Sequence, residues 1–262
     1  LGHELAGEII ETDLDGFSKG EMVTFITYSP CGKCIACRNG KPNCCVSIEV
    51  YGVHVDGGMR EYLSVPSVAI VKGDGLGADE LALIEPLAIG AHALRRAAIE
   101  TGEFVLVIGA GPIGLGIAEL AKLAGAQVIV MDINENRLNF CKQRLGIGST
   151  IQANSPALNE QIEKLTNGDM PTLVVDATGN LKAINQAFSF IAHGGRYVLV
   201  GLQKGNIEFS QPEFHKREAT LMSSRNATRA DFNHVISAMK SRKIDPATYI
   251  THRVGFDTVK EN

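Results

Sequence analysis

Five of the six cysteines lie within fifteen residues, in the segment CGKCIACRNGKPNCC. Four of them follow the spacing C-x2-C-x2-C-x7-C: Cys31, Cys34, Cys37 and Cys45. Four thiolates in one short loop can close a tetrahedral zinc site with no open position, which is typical of a structural metal. An iron–sulfur cluster is the nearest alternative, but the ferredoxin run ends in C-x3-C-P and this one does not. We predict structural zinc, with Cys45 preferred by register to the adjacent Cys44.

A glycine-rich turn, GAGPIG, follows an apolar run of strand length and opens a stretch with helical periodicity. Gly109 suits a tight turn, Gly111 lets the backbone approach a pyrophosphate, and Gly114 allows close packing of helix on strand. The helix N-terminus then presents free N–H groups and positive dipole to the phosphates. The pattern predicts a dinucleotide site at Gly109, Gly111, Pro112, Ile113 and Gly114.

An acidic residue stands at the end of the next apolar strand, where a dinucleotide site uses one. Asp132 follows the run QVIVM, 23 residues after Gly109. A carboxylate there accepts hydrogen bonds from the ribose hydroxyls and repels a 2′-phosphate, which favours NAD over NADP. Arg137 could serve such a phosphate or stack on adenine, and so keeps NADP as an alternative. Residues at two later strand ends are expected along the same cofactor: Ala177, Thr178, Val200 and Gly201.

The pattern around these motifs changes along the chain. Before about residue 75, short β-branched runs separated by Gly and Pro predict strands: GEIIET, MVTFITY, EYLSVP and SVAIVKG. From about Glu100, apolar runs of strand length alternate with helical periodicity, which predicts βαβ units on a parallel sheet covered on both faces. An amphipathic helix follows, with apolar residues at helical spacing: Phe232, Val235, Ile236 and Met239. The predicted fold class is α/β with a doubly wound Rossmann domain.

Composition excludes several classes of partner. The 262 residues carry a formal net charge of -4, with a pI near 6.0. This balance gives no electrostatic footprint for nucleic acid or for an anionic membrane. The richest apolar stretch is broken by glycines and a proline, unlike a membrane span. Clustered thiols without a spread disulfide framework indicate a reducing compartment. We expect a cytoplasmic protein that acts on a small molecule.

Five ordered motifs carry a resemblance to a known family: LGHELAGEI, CGKCIACRNGKPNCC, LALIEPLAIGAH, GAGPIGLG and VVDATG. Their order and separations resemble zinc-dependent medium-chain dehydrogenases, above all the branch that oxidises sorbitol, L-threonine and sugar acids. The resemblance implies a partial GroES-like β-barrel catalytic domain over residues 1–90, with the zinc lobe at 31–45. It also implies a Rossmann domain over 91–226, a partial return to the catalytic domain over 227–262, and a homodimer or homotetramer formed through Rossmann edge strands.

The same resemblance implies a catalytic zinc. It assigns His3 of the GHE motif as a ligand and Glu4 as a second ligand or close neighbour. Glu85 of the EP dipeptide binds zinc or holds a zinc-bound water. Imidazole and carboxylate suit this metal, which favours deprotonation of a substrate hydroxyl before hydride passes to nicotinamide. The family's remaining ligand, a cysteine, would lie upstream of Leu1, so we expect a chain truncated at both ends, with an inactive chain as the alternative.

Two other functions compete with that of a polyol, sugar-acid or amino-alcohol dehydrogenase. A non-catalytic NAD-binding core or redox sensor would keep only the structural zinc. A zinc-free quinone reductase would explain neither the cysteine lobe nor the GHE and EP motifs. Some polar residues are candidates to line the site by position alone: Glu49, His54, Arg225 and Asn226. His54 equally suits a loop histidine with a backbone partner, and His252 and Arg253 suit either a cofactor phosphate or a solvated strand end.

Overall fold

Short antiparallel strands form the first part of the chain. The computed structural model describes residues 1–259; residues 260–262, the end of the predicted segment 227–262, lie outside the described residues. The strands are β1 (Gly7–Glu8), β2 (Met22–Phe25), β3 (Tyr28–Ser29), β4 (Glu49–Val50) and β5 (Ile70–Lys72). One sheet has the order β1-β2-β5, and a second pairs β3 with β4. The predicted β character of this part is confirmed.

The strand predicted for EYLSVP is wrong. Residues 61–66 form no strand, and GEIIET forms one only at Gly7–Glu8. Tyr62 is 65% exposed, and Pro66 has no N–H to donate to a ladder. No strand among residues 1–259 pairs with this run, and β propensity without a pairing partner does not make a strand.

Helices connect the two parts of the chain and cover the larger sheet. In order they are α1 (Ile35–Arg38), α2 (Ala78–Ala82), α3 (Ile84–Ala97), α4 (Pro112–Leu123), α5 (Glu135–Arg144), α6 (Leu158–Leu165), α7 (Leu181–Ala187), α8 (Gln211–Lys216) and α9 (Arg229–Lys240). Short 3-10 turns lie at Pro42–Cys44, Ser67–Ala69, Phe188–Phe190, Pro246–Thr248 and Phe256–Thr258. The domain boundary expected at 90/91 falls inside α3, and the division into domains stays a prediction. Among residues 1–259, no helix has the length and apolar character needed to cross a membrane.

A six-stranded parallel sheet forms the second part. Its strands are β6 (Phe104–Ile108), β7 (Gln127–Asp132), β8 (Thr150–Gln152), β9 (Leu173–Asp176), β10 (Arg196–Leu199) and β11 (Thr220–Ser223). The order is β11-β10-β9-β6-β7-β8, with every pair parallel. The chain reverses its direction of growth between β6 and β9, which creates a crevice at the carboxyl ends of these strands. The predicted doubly wound sheet is confirmed.

Each face of the parallel sheet has its own apolar core. Val105 and Val107 of β6 pack with α3, α4 and α9, whereas Leu106 and Ile108 pack with α6 and α7. Successive side chains of a strand point to opposite faces, so an unbroken apolar run such as FVLVI supplies both cores. The sequence of β6 thereby fixes a strand with helices on both sides.

Helix α9 brings the end of the chain back against α3. The four apolar residues predicted for its inner face are all buried: Phe232, Val235, Ile236 and Met239. They join the same core as α3 and α4. The predicted amphipathic helix is confirmed, and it packs the segment after the Rossmann sheet against the helix that carries Glu85 in its first turn.

Candidate active site and metal centres

The four thiols predicted to bind structural zinc converge in the lobe of residues 31–45. Their sulfur atoms all lie within 4.8 Å of one another: Cys31, Cys34, Cys37 and Cys45. Cys45 is 1% exposed, whereas Cys44 is exposed and stands outside this cluster. The Cys31 N–H also donates to the Cys45 sulfur at 3.2 Å. Four soft donors at this separation fit a closed tetrahedral zinc site.

Local hydrogen bonds tune these thiols. Backbone N–H groups of Lys33 and Cys34 lower the pKa of Cys31 to about 6. The backbone N–H of Cys37 is the main cause of a lowered pKa at Cys34. Desolvation, followed by the neighbouring thiols, raises the pKa of Cys37 to about 12. Thiolate is the form that binds metal, so the lowered pKa values of Cys31 and Cys34 favour binding. A bound cation would offset the desolvation and the neighbouring thiols that raise the pKa of Cys37.

A second cluster of metal-binding side chains lies at the start of α3. His3, Glu4 and Glu85 each place a ligand atom within 4.8 Å of the other two. Glu85 occupies the first turn of α3 and is 4% exposed, and it accepts a short hydrogen bond from the Tyr28 hydroxyl. Nitrogen and oxygen donors of this kind suit zinc, and three protein ligands are the number that a catalytic zinc site uses.

Burial controls the acidity of Glu85. Desolvation raises the pKa of this carboxyl, while the Tyr28 hydrogen bond and the nearby His3 lower it and Glu4 raises it. Desolvation also raises the pKa of Tyr28, so its hydroxyl keeps its proton and remains a donor. A buried carboxylate that lacks a formal counter-charge is costly. A divalent cation between these residues would supply that charge, and the donor set therefore fits the implied metal.

A loop holds the GHE motif in place. The carbonyl of Gly2 accepts from the Gly58 N–H at 3.0 Å, and the carbonyl of Leu1 accepts from the Met59 N–H at 3.2 Å. A Cβ added to Gly57 would lie 2.2 Å from the Gly2 oxygen, so only glycine allows this approach. The backbone of residues 57–59 thus positions His3, although these two segments are far apart in sequence.

The glycine-rich turn has the three steric properties that a pyrophosphate site requires. Gly109 has φ +99°, and a Cβ added there would lie 2.8 Å from the Thr178 methyl. A Cβ on Gly114 would lie 1.8 Å from the Gly109 oxygen, whereas one on Gly111 would meet nothing within 4 Å. Gly111 caps α4, whose first residue is Pro112, followed by Ile113. The open space is in front of a helix N-terminus, where phosphate is favoured.

Asp132 lies where the sequence predicts a ribose acceptor. It is 6% exposed at the end of β7; its Oδ2 accepts from the Ala110 N–H at 2.6 Å and its Oδ1 from the Asn134 N–H at 2.7 Å. The Arg137 guanidinium lies 3.9 Å from Oδ2. The carboxylate therefore braces the glycine turn, and each oxygen keeps a further lone pair for a ligand hydroxyl. Arg137 is half-exposed beside it.

Asp176, the last residue of β9, makes hydrogen bonds to residues that follow β9 and to residues that follow β10. Its Oδ1 accepts from the Thr178 hydroxyl at 2.6 Å, and its backbone oxygen accepts from the N–H groups of Val200 and Gly201 at 2.9 and 3.0 Å. A Cβ on Gly201 would lie 2.2 Å from the Gly179 nitrogen, so the two turns touch. Burial raises the pKa of Asp176. The structure thus gathers at one sheet edge the residues predicted there: Ala177, Thr178, Val200 and Gly201.

The candidates chosen by position alone are not brought into either cluster. His54 Nδ1 accepts from the Val50 N–H at 3.0 Å, as a loop histidine does, and Glu49 is exposed on β4. The Arg225 carbonyl accepts from the Asn43 amide at 2.9 Å, and the Asn226 amide donates to the Asn43 carbonyl at 3.1 Å. Arg225 and Asn226 therefore contact the cysteine lobe.

The two candidates near the end of the chain also have other partners. The Arg253 guanidinium pairs with both oxygens of Asp79, one of them at 2.9 Å. His252 is exposed, with Nδ1 3.0 Å from the Thr251 hydroxyl. The structure places neither residue in a strand. The alternative prediction of a solvated strand end is therefore wrong about the strand, whereas both residues are exposed as it predicts.

Sequence reasoning missed Tyr28 and His92. Tyr28 bonds the carboxylate of Glu85 across 57 residues of sequence, and His92 is buried between Asn43 and Asp231. Tyr28 stands in none of the five motifs, and His92, although it ends the motif LALIEPLAIGAH, has no partner there at a recognisable spacing. The available signal is a polar residue inside an otherwise apolar run, LAIGAHAL for His92.

Comparisons with known proteins identify the family that this chain resembles. A family model described as the alcohol dehydrogenase GroES-like domain matches residues 1–75, and one described as zinc-binding dehydrogenase matches residues 112–241. The chain is 47% identical to L-galactonate-5-dehydrogenase of Escherichia coli K12, over 100% of this chain and 77% of the relative. It is 31% identical to a sorbitol dehydrogenase of Halalkalibacterium halodurans, over 96% and 75%.

A solved structure extends the likeness to the whole fold. A crystal structure from Escherichia coli CFT073, described as a short-chain alcohol dehydrogenase complexed with NADH, superimposes with a TM-score of 0.91. The sequence identity is 32%, over 99% of this chain and 77% of that one. The fold predicted from the resemblance, GroES-like and Rossmann, is confirmed.

We predict that Gly111→Ala weakens NAD binding at least about tenfold without harming the fold. Its Cβ would enter the open space before α4, where glycine lets the backbone approach a pyrophosphate. Gly148→Ala is the matched control, because its Cβ also meets nothing within 4 Å. Isothermal titration would give the affinities and a thermal melt the stability. Equal affinities for the two variants would contradict the assignment.

The choice of fourth thiol gives a second prediction. Cys45→Ser should remove one zinc ion per chain, because a hydroxyl is a poor substitute for a thiolate ligand. Cys44→Ser should keep the zinc content of the unaltered chain, since Cys44 stands outside the cluster. Elemental analysis of the purified variants measures this. Zinc loss from the Cys44 variant alone would show that the two residues are assigned the wrong way round.

Proposed function

The chain belongs to the zinc-dependent medium-chain dehydrogenase family, and on that premise we propose that it oxidises a secondary alcohol of a sugar acid with NAD. Zinc-dependent alcohol oxidoreduction with NAD(P) is the activity of this family. Sugar acid is preferred within the wider class of polyols and L-threonine-like substrates because the relative at 47% identity is an L-galactonate dehydrogenase. A small-molecule substrate fits the relatives.

The convergence of His3, Glu4 and Glu85 is the observation that carries this proposal. These residues would hold the catalytic zinc, and the closed set of four cysteines would hold the structural zinc. When bound, a catalytic zinc polarises a hydroxyl and favours its deprotonation. The alternative function, a redox sensor that keeps only the structural zinc, would not require this second cluster of nitrogen and oxygen donors.

The remaining work falls to side chains and backbone of this chain. Tyr28 donates to Glu85 and so fixes the orientation of a buried carboxylate, while half-buried His3 offers its imidazole beside it. Glu4 is exposed, and it leaves the cluster in contact with water. This one-sided access suits release of the proton that the hydroxyl loses on oxidation.

We assign NAD as the favoured cofactor because of Asp132. Its carboxylate is held at the end of β7 by two backbone N–H groups and can accept from ribose hydroxyls. A 2′-phosphate would meet this buried negative charge. Arg137 is 3.9 Å away and its charge is directed to Asp132. The residues proposed along the dinucleotide are Gly109, Gly111, Pro112, Ile113, Gly114, Asp132, Arg137, Ala177, Thr178, Val200 and Gly201.

We propose a cytoplasmic setting, which the state of the thiols supports. All six cysteines are free, and four of them form the proposed zinc centre. Thiols persist in a reducing compartment, which supports the cytoplasm as the place of action.

Turnover tests the function. The chain should reduce NAD with L-galactonate faster than with sorbitol or L-threonine, followed by absorbance of the reduced nicotinamide. His3→Ala should lower kcat/KM at least about a hundredfold through loss of a zinc ligand, and exposed His252→Ala should not. Turnover with NADP and not with NAD would contradict the role of Asp132. A chain that binds two zinc ions and shows no turnover would contradict the proposed dehydrogenase activity.

We also propose a homodimer or homotetramer formed through β11. This strand ends the sheet order, and Thr220 and Leu221 on it are exposed. An exposed edge offers unpaired backbone groups to a second copy of the same strand. Leu221→Lys should shift the chain to monomer in sedimentation velocity, because charge on an edge opposes pairing. Val68→Lys, at an exposed position outside the sheet, is the control. A monomeric unaltered chain would contradict the proposal.

A further inference from the structure

The cysteine lobe has one polar attachment to the rest of the molecule that the proposed function does not use. Within residues 31–45, only Asn43 and Cys45 are buried. The Asn43 amide nitrogen lies 3.1 Å from His92 Nε2 and donates to the Arg225 carbonyl at 2.9 Å. The lobe lacks an apolar core of its own, and Asn43 contacts both helix α3 and the turn that follows β11.

This contact continues into the interior. His92 Nδ1 lies 2.9 Å from Oδ2 of Asp231, and both side chains are almost fully buried. Arg95 donates from Nε to Oδ1 of Asp231 at 2.7 Å, and the Thr228 hydroxyl donates to Oδ2 at 2.8 Å. Because Asn43 donates to Nε2, His92 carries its proton on Nδ1 and donates to the carboxylate. We call Asn43, His92 and Asp231 the relay.

Asn43 also connects the relay to the carboxyl edge of the sheet. Asn226, with φ +54°, donates its amide to the Asn43 carbonyl at 3.1 Å and reciprocates the Asn43 bond to Arg225. Just before them, the Ser224 N–H donates to the Leu199 carbonyl at 2.8 Å. Leu199 ends β10, next to the turn proposed to line the cofactor. The lobe therefore contacts both the helix of Glu85 and the edge that would hold the dinucleotide.

Helix α3 connects the relay, through His92, to the candidate catalytic cluster, through Glu85. His92 follows Glu85 by seven residues, two turns of α3, so both side chains lie on the same face of the helix. A buried donor or acceptor that loses its partner bears its full desolvation cost. Displacement of Asn43 would leave His92 Nε2 and the Arg225 carbonyl without that partner. Movement of α3 or of the 225–226 turn would relieve this cost.

We propose that the relay couples metal occupancy of the cysteine lobe to the position of α3, so that the four-cysteine centre helps to place Glu85. Asn43 and His92 are positioning residues in this scheme, because neither touches the candidate catalytic cluster. The inference rests on the proposed roles of the four cysteines and of Glu85. Loss of metal from the lobe then loosens α3 and the 225–226 turn together.

Hydrogen–deuterium exchange of the zinc-loaded chain tests this coupling. Asn43→Ala, and Cys31→Ser, which empties the lobe, should each speed exchange at residues 84–97 and 224–228 at least about tenfold, with β6 unchanged. Asn39→Ala is the matched control, since Asn39 is exposed in the same lobe. Asn43→Leu keeps the volume and removes both hydrogen bonds, and it should reproduce the effect if the alanine variant unfolds.

The outcomes separate this inference from the proposed function. Unchanged exchange in α3 after either the Asn43 or the Cys31 substitution would overturn the coupling, as would an equal effect of Asn39→Ala. Chelator competition supplies the second readout: Asn43→Ala should lower zinc affinity at the His3 cluster about tenfold and retain the zinc of the lobe. If the substitutions speed exchange as predicted but the chain shows no turnover, the proposed dehydrogenase activity is overturned and the coupling through the relay stands.

Discussion

Close packing of α3 on α4 is the contact on which the site depends. A Cβ on Gly116 would lie 2.8 Å from the Leu87 side chain, and one on Gly90 would lie 3.1 Å from Ile117. Small residues at these points let the two helices approach closely, and the approach fixes their relative position. Helix α3 carries Glu85 in its first turn, and α4 begins at the glycine-rich turn. One helix pair thereby sets the candidate catalytic cluster against the candidate cofactor edge.

The two candidate metal sites of this chain differ in donor type. The cysteine lobe gathers four sulfur donors and leaves no side for a substrate, whereas His3, Glu4 and Glu85 gather nitrogen and oxygen donors with Glu4 open to water. Closed sites stabilise structure and open sites activate ligands. The buried, tyrosine-bonded Glu85 links the second centre to the core, so its geometry depends on the packing described above.

Sequence predicts the local features well because each depends on few neighbours. The glycine turn, Asp132 after β7 and the four cysteines are defined by spacing within a strand, a turn or a loop. Contacts between distant segments left no such pattern: the bond from Tyr28 to Glu85, the burial of His92, and the backbone of residues 57–59 that holds Gly2. The strand predicted at 61–66 failed for the related reason that pairing needs a partner, which propensity does not report.

Zinc K-edge absorption of the purified chain tests the central claim, that one chain builds two different metal centres. The account predicts a mixed shell, with sulfur at about 2.3 Å from the closed site and nitrogen or oxygen at about 2.0 to 2.2 Å from the open one. Glu85→Ala should remove part of the lighter shell and leave the sulfur shell intact. A spectrum with sulfur alone in the unaltered chain would contradict the account.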